Sequence, residues 1–485
     1  MMKKVICLLI LICLLTGAAA PVCVYAHKVD LVTLPVSLDG GPVVQLTAYE
    51  SNYANNYYVS LRNLAILLTG SASQFRFYND EEGCYHVDIG LPYDPSLEPM
   101  DRPDGVDEDA EIPKEMMVKR DLTPTQSTYI ENSTYWLQKN GEGAMYYTYA
   151  DYSIEDLYMS LLDVQMMLDL NIVYENGVYN IITDKHFHMN LDRLNEQGYF
   201  DYLHGVLLGD ATTGEIFMEC KGDESVPIAS TTKLMTAFIA ERMIELGKIT
   251  LDDPVVISAN AARVSLADDS VVGMYEGEVT NVRDLMYAMM VASSNESALA
   301  LAEYIAGSQE EFVKMMNAMA FRLGMDSAVF YNPHGLPEYL KGDAVVMVEN
   351  HASAEDMFKL ATAMMRKYPE ITEFTTPDVV WLDSLWAELY ATNSLMINMP
   401  DVYGLKTGTT DAAGKCLISS RTVNVNGEDH VIIAVVLGAE FNSDRFQVSE
   451  LLQKGVSFYL FPETEETQSP EETENTEQGN ETPAS

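Results

Sequence analysis

The stretch Pro227-Ile228-Ala229-Ser230-Thr231-Thr232-Lys233 decides how this chain is read. Leu234, Ala237, Phe238 and Met243 continue it at the spacing of a buried helix, and Gly247 marks its stop. Ser230 therefore stands at a helix N-terminus, with Lys233 one turn on over the same face. A serine hydroxyl is a poor nucleophile until something takes its proton. Lys233 can take it only when neutral, so its pKa must fall by burial or through a nearby cation. Taken alone, the segment is equally the start of a capped surface helix with a solvated lysine.

Two later segments change that balance. Ser293-Ser294-Asn295 follows an apolar helix pattern (Val282, Leu285, Met286, Met289) and precedes another (Ala298, Leu301, Ala302, Ile305). A polar triplet between buried helices is a place where a loop can push side chains into a cleft. Ser293 there suits a proton relay between Lys233 and a leaving amine, and Asn295 a substrate amide. Read by itself, the triplet is an ordinary helix cap. Gly404 through Thr410, then Ala413 through Ile418, read as strand, turn and strand, with Val431 to Leu437 as a third strand. An edge strand can align a peptide by strand addition. Gly408 is expected to let a substrate approach closely. Lys406 and the hydroxyls of Thr407 and Thr409 suit a terminal carboxylate, and Lys406 is the natural cation to depress Lys233.

In this order the three motifs resemble the active-site set of penicillin-binding proteins and serine β-lactamases. More closely, residues 201–462 resemble the low-molecular-mass D-alanyl-D-alanine carboxypeptidases, serine peptidases of family S11. The segments that carry the likeness are Pro227 to Lys233, Tyr331-Asn332-Pro333-His334-Gly335-Leu336, and Gly404 through Leu417. The resemblance implies an α+β, β-lactamase/transpeptidase-like domain, an antiparallel sheet flanked by helices plus a helical lobe. It implies acylation of Ser230 by peptidoglycan stem peptides ending in D-Ala-D-Ala, with Lys233 as base. Ser293 and Asn295 would line the cleft, and Lys406, Thr407 and Gly408 would hold the substrate. The backbone N–H groups of Ser230 and Thr409 would form the oxyanion hole. No metal or organic cofactor is implied, and β-lactams would trap Ser230 as a slow acyl-enzyme. Many such enzymes carry a C-terminal β-rich domain and a membrane-binding helix; here an acidic tail follows Phe461 and the added module is N-terminal.

Rival readings make different demands. A β-lactamase of class A type needs a glutamate in an E-x-x-L-N context, and none occurs between Ser293 and Lys406. A non-catalytic wall-binding protein would be expected to have lost Ser230, Lys233 or Lys406. D,D-Endopeptidase or transpeptidase activity stays open, because the motifs fix the acylation step and not the acceptor. No G-x-S-x-G elbow is present. His186 and His188 beside Asp184 are a weak metal motif in a connecting segment, and His334 in Asn-Pro-His-Gly is expected to shape a turn.

The rest of the 485 residues bound the context. A net charge of −44 argues against nucleic acid or an anionic membrane as electrostatic partner. Residues 1–26 read as an export signal: Lys3 and Lys4, the apolar run Val5 to Leu15, and Val24-Tyr25-Ala26 as a cleavage site. The protein is thus expected to be exported, extracellular or on the wall side of the cytoplasmic membrane. After cleavage Cys84, Cys220 and Cys416 would remain, expected as buried free thiols. Residues 27–184 read as a stalk-like N-terminal region of small α+β modules. Gly40-Gly41 marks a turn between strands, Ser60 caps a helix with Leu61, Leu64, Ala65 and Leu68, and Phe75 and Phe77 begin a strand. Tyr158-Met159-Ser160-Leu161 echoes Tyr58-Val59-Ser60-Leu61, and Asn176-Gly177 turns into Val178 to Ile182. Tyr57 through Leu64 resembles the stalk modules also called copper amine oxidase N-terminal-like domains, without implying copper. Residues 92–126 are expected as an acidic, Pro-containing linker, 185–200 as a connection, and 463–485, with eight Glu and no Lys or Arg, as a disordered tail.

Overall fold

The computed structural model describes residues 25–51, 56–80, 84–94, 97, 129–139, 142–151, 156–267, 272–341, 345–440 and 442–461. Most of the expected signal and linker, and the acidic tail, lie outside these residues.

Strand Val402–Thr410, which carries Lys406 to Thr409, is an edge of a five-stranded antiparallel sheet. The order runs Glu215–Cys220, Gly205–Asp210, Glu428–Ala439, Gly414–Val425, Val402–Thr410. Both faces are covered, so the central strand is a continuous apolar run rather than an alternation. Ile433, Val435 and Leu437 point to one face with Met357, Phe358 and Ala361 of helix Ala354–Lys367. Ile432, Ala434 and Val436 point to the other with Val448, Leu451 and Leu452 of helix Asn442–Gly455. Helix Ala354–Lys367 starts at a capping box formed by Ser353 and Asp356.

The first face continues into a helical lobe built from Lys233–Glu245, Ala259–Ala267, Val282–Val291, Asn295–Ala306 and Gln309–Leu323. Its core is rich in methionine, with Met235, Met286, Met289 and Met316 buried. This α+β arrangement of sheet, flanking helices and helical lobe is the expected class. No helix among the described residues is long and apolar enough to cross a membrane. No disulfide joins Cys84, Cys220 and Cys416; Cys416 is buried as expected, whereas Cys84 and Cys220 are partly exposed.

The N-terminal region is a single ten-stranded sheet built from two copies of one pattern. Each copy has three strands, a short helix and a hairpin: Tyr25–Leu38, Val44–Ser51, Asn56–Ser60, Leu61–Leu68, Phe75–Asn79 and Tyr85–Ile89; then Tyr129–Lys139, Glu142–Asp151, Asp156–Ser160, Leu161–Leu168, Asn171–Glu175 and Val178–Ile182. The echoed tetrapeptides meet across an antiparallel ladder, Tyr58 opposite Ser160, Val59 opposite Met159, Ser60 opposite Tyr158. Ser60 and Ser160 each cap their helix by accepting from the N–H three residues on. The hairpins are exchanged. The last strand of copy one pairs in parallel with the first strand of copy two (Tyr85 opposite Leu137), and the last strand of copy two pairs likewise with the first of copy one (Tyr179 opposite Val36). The ladder begins at Tyr25, two residues ahead of a cut after Ala26.

Helix Leu161–Leu168 docks this region on helix Asn442–Gly455. Leu162 and Met166 join the cluster of Val448 and Leu452. Gln447 Nε2 donates to Asp163 Oδ2 at 3.0 Å, and Lys454 Nζ donates to the Met166 carbonyl at 2.7 Å.

Candidate active site

Ser230 lies in a 3-10 turn, Ala229–Thr232, that runs straight into helix Lys233–Glu245. The sequence placed it at the helix N-terminus, and the structure makes that first turn a 3-10 turn. The tighter turn is stapled by the Thr231 hydroxyl, which donates to the Ile228 carbonyl at 2.5 Å. Lys233 is completely buried. Its Nζ lies 2.8 Å from Ser230 Oγ, 2.6 Å from Asn295 Oδ1 and 2.7 Å from the His334 carbonyl oxygen. The last two are acceptors only. A neutral amine in this place can take the Ser230 hydroxyl proton on its lone pair.

Asn295 opens helix Asn295–Ala306, whose cap is Ser294, accepting from the Ser297 N–H. Ser293 precedes the cap with φ of 62°, the left-handed region that non-glycine residues rarely occupy. Ser230, Ser293, Asn295, Thr407, Gly408 and Thr409 all line one cavity of about 280 Å³, together with Thr392 and Arg445. Lys406 does not line it. It is buried, with Nζ donating to the Thr407 carbonyl at 3.0 Å, and its pKa falls well below the usual lysine value through burial, then the charges of Lys233 and Arg445. Arg445, charged at neutral pH, stands at the cavity wall, which favours an anionic ligand group.

The space at Gly408 is filled differently from the expectation. A Cβ there would lie 2.9 Å from the Thr231 amide nitrogen and 3.1 Å from that of Ser230. What glycine admits is the protein's own Ser230 turn, brought against the edge strand. Gly335 is tighter still: with φ of 90°, its Cβ would sit 2.0 Å from the Ala229 carbonyl oxygen. The Asn332-Pro333-His334-Gly335 segment is the expected turn. Asn332 Oδ1 accepts from the N–H groups of His334 (3.2 Å) and Gly335 (2.7 Å). His334 Nδ1 accepts from the Leu336 N–H at 3.1 Å, and burial, then Lys233, push its pKa down to about 3. The ring is therefore neutral, and its role is to hold the carbonyl that orients Lys233.

Sequence reasoning missed three residues. Arg445, from helix Asn442–Gly455, sends Nη1 to the carbonyls of Gly408 (3.0 Å) and Cys416 (3.3 Å) and to Thr409 Oγ1 (3.2 Å), pinning the edge strand to its neighbour. Thr392 Oγ1 lies 2.6 Å from Thr407 Oγ1. Asn350, fully buried, ties the nucleophile turn to the His334 loop by donating to Thr232 Oγ1 (3.0 Å) and the Asn332 carbonyl (2.9 Å). No local motif marks any of them, since each acts through a fold contact with a segment far away in the chain.

His186 pairs with Asp169 on the surface and is not gathered with His188. One group of possible metal donors occurs among the described residues, Asp80, Cys84 and His86 in the N-terminal sheet. There His86 Nε2 already bonds Asp80 Oδ2 at 2.7 Å, and the other Asp80 oxygen accepts from the Cys84 N–H.

Comparison with known proteins places this geometry. Residues 204–441 match the family model described as D-alanyl-D-alanine carboxypeptidase. D-alanyl-D-alanine carboxypeptidase DacF of Bacillus subtilis is 34% identical over 262 residues, 52% of this chain and 62% of that protein. DacC of Escherichia coli is 32% identical over 257 residues, 52% of this chain and 61% of its own length. The chain thus covers somewhat under two thirds of these relatives. A D-alanyl-D-alanine endopeptidase of Pseudomonas aeruginosa is 30% identical over 235 residues, covering 47% of this chain and 70% of that protein. Among solved structures, a peptidoglycan synthesis regulatory factor (PBP3) of Streptococcus pneumoniae is 32% identical, with a TM-score of 0.48, over 53% of this chain and 72% of that one. The family match holds every residue lining the cavity except Arg445, and the chain belongs to the peptidase S11 family of D-alanyl-D-alanine carboxypeptidases.

Proposed function

We propose that this protein is a serine-type D-Ala-D-Ala carboxypeptidase that removes the terminal D-alanine from peptidoglycan stem peptides. The observation that carries the reading is Lys233 Nζ, buried, 2.8 Å from Ser230 Oγ and oriented by two acceptor-only oxygens. Ser230 Oγ attacks the penultimate D-Ala carbonyl as its proton passes to Lys233. The N–H groups of Ser230 and Thr409 receive the oxyanion. The C–N bond breaks, the leaving D-Ala amine takes the proton through Lys233 and Ser293, and water then hydrolyses the acyl-enzyme. Thr407, Thr409 and Arg445 face the terminal carboxylate, Lys406 backs the strand that carries them, and Asn295 lines the cleft beside the substrate amide. Residues 1–26 act as an export signal, so that the enzyme works on the wall side of the membrane, and residues 27–184 act as a stalk-like module.

The test is mass spectrometry of the protein after exposure to benzylpenicillin, with a D-Ala release assay on a pentapeptide ending in D-Ala-D-Ala. The wild type is expected to gain one covalent adduct and to release D-Ala; Ser230→Ala is expected to do neither. An adduct on Ser230→Ala would sink the assignment. The relative named as an endopeptidase favours one second reading, cleavage of cross-linked stems. An adduct with cleavage of cross-linked dimers and no D-Ala release would select it.

A further inference from the structure

Beside the cavity stands a two-stranded hairpin, Val379–Leu382 paired with Ala387–Tyr390. Its inner face is apolar and packed: Leu382 and Leu389 close on Ala288 and Ala292. Its outer face is aromatic and open. Val379 stands opposite Tyr390 and Trp381 opposite Glu388, all four on the outward side of the pleat. Trp386 projects from the tip, 83% exposed, with φ of 48°, a conformation bulky residues seldom take. The two indoles meet edge to face at 6.3 Å. Trp381 Nε1 donates to Asp383 Oδ1 and Tyr390 Oη to Glu388 Oε2, both at 2.9 Å, so two carboxylates hold the rings and stay at the surface with them. Exposed aromatics gathered in this way mark a binding surface.

We infer that this hairpin is a docking platform for the glycan strand of the wall polymer, a neutral chain of amino sugars. The inference rests on the substrate proposed above and extends it. Three observations choose the occupant. No Lys or Arg occurs between Lys367 and Lys406, whereas Glu370, Glu373, Asp378, Asp383, Glu388 and Asp401 do; an anionic lipid surface would be repelled. A sugar ring offers an apolar C–H face to an indole and hydroxyl donors to a carboxylate, which matches the mix on this face. The platform is also joined to the cavity at its base. Ala292 beneath it precedes Ser293, and Thr392, two residues past Tyr390, is a cavity wall. From Thr392 back to Trp386 the chain spans at most about 20 Å, at roughly 3.3 Å per strand residue. An extended pentapeptide spans about 17–18 Å, so a stem peptide seated on Ser230 can leave its sugar at the hairpin.

The test uses the full chain and the variants Trp386→Ala and Trp381→Ala/Trp386→Ala, compared on two substrates and one ligand. On the free pentapeptide, wild type and variants are expected to release D-Ala equally and to form the same penicillin adduct. On intact peptidoglycan, the double variant is expected to be about tenfold slower or worse, the usual scale for truncating aromatic anchors. Cosedimentation with glycan strands stripped of peptide is expected to fall to a similar degree, and an N-acetylglucosamine oligomer is expected to quench the wild type's tryptophan fluorescence in a saturable titration. Equal losses on both substrates, or no loss on either, would overturn the platform, as would weaker binding to anionic vesicles with glycan binding unchanged. If wild type neither acylates nor releases D-Ala, the proposed function fails, and the glycan measurements still decide the hairpin.

Discussion

His334 shows how one residue can organise a site without reacting in it. Its carbonyl orients Lys233 while its ring, buried and accepting from the Leu336 N–H, is kept neutral. The folded pKa is lowered to about 3 from 6.5. Between those values the unfolded chain binds a proton that the folded chain refuses, so this group's contribution to stability is lost as pH falls from about 6.5 toward 3. Melting temperatures measured across that range are expected to decline less steeply in His334→Asn, where the acceptor remains and the titration is gone; the difference approaches about 1.4 kcal/mol per pH unit at its steepest. An identical slope in the two proteins would mean the ring is not held neutral. The residues that converge here were legible for a physical reason. Ser230 and Lys233 are fixed by three residues of helical spacing, and Asn295 follows a hydroxyl that caps its helix. Gly408 was legible as a close-approach position, but no single segment says what approaches it.

At the scale of elements, the edge strand Val402–Thr410 is useful only while it is held in register against both the nucleophile turn and Gly414–Val425. Arg445 does part of that holding with a single guanidinium nitrogen on two carbonyls and a hydroxyl. Burial lowers its pKa to about 10, so it remains charged at neutral pH. Arg445→Lys keeps the charge and loses the planar fork. Losing one or two charge-assisted hydrogen bonds corresponds to about a 10- to 100-fold slower acylation by benzylpenicillin, measured as the second-order rate. A rate unchanged from wild type would show that the strand keeps its register without the fork. The strands and helices themselves were readable from periodicity, but the anchoring helix lies beyond the last motif. Nothing in Asp444-Arg445-Phe446 announces which sheet it will face.

The whole molecule is joined where Asp163 is buried between its two parts, accepting from Ser160 Oγ (2.6 Å) and from Gln447 Nε2 across the interface (3.0 Å). Burial above all raises its pKa to about 7, with Glu450 and Asp444 adding to the rise and the Ser160 bond and Lys454 opposing it. The folded chain keeps this proton between about pH 4 and 7 while the unfolded chain gives it up, so stability is lost as pH rises through that window. Asp163→Asn is expected to melt a few degrees higher than wild type at pH 8 and to match it near pH 4, by differential scanning calorimetry; a lower melting temperature at pH 8 would show that the ionised carboxylate is the stabilising form. The repeat in the N-terminal region was visible in the sequence as two matching tetrapeptides. The exchange of hairpins was not, because strand order depends on partners that periodicity cannot name. Each copy lacks the strand that completes it and finds that strand in the other, as two identical chains would in a symmetric pair. A lone copy would expose the sheet edge that its partner now covers, and would be expected to pair with a twin rather than persist alone.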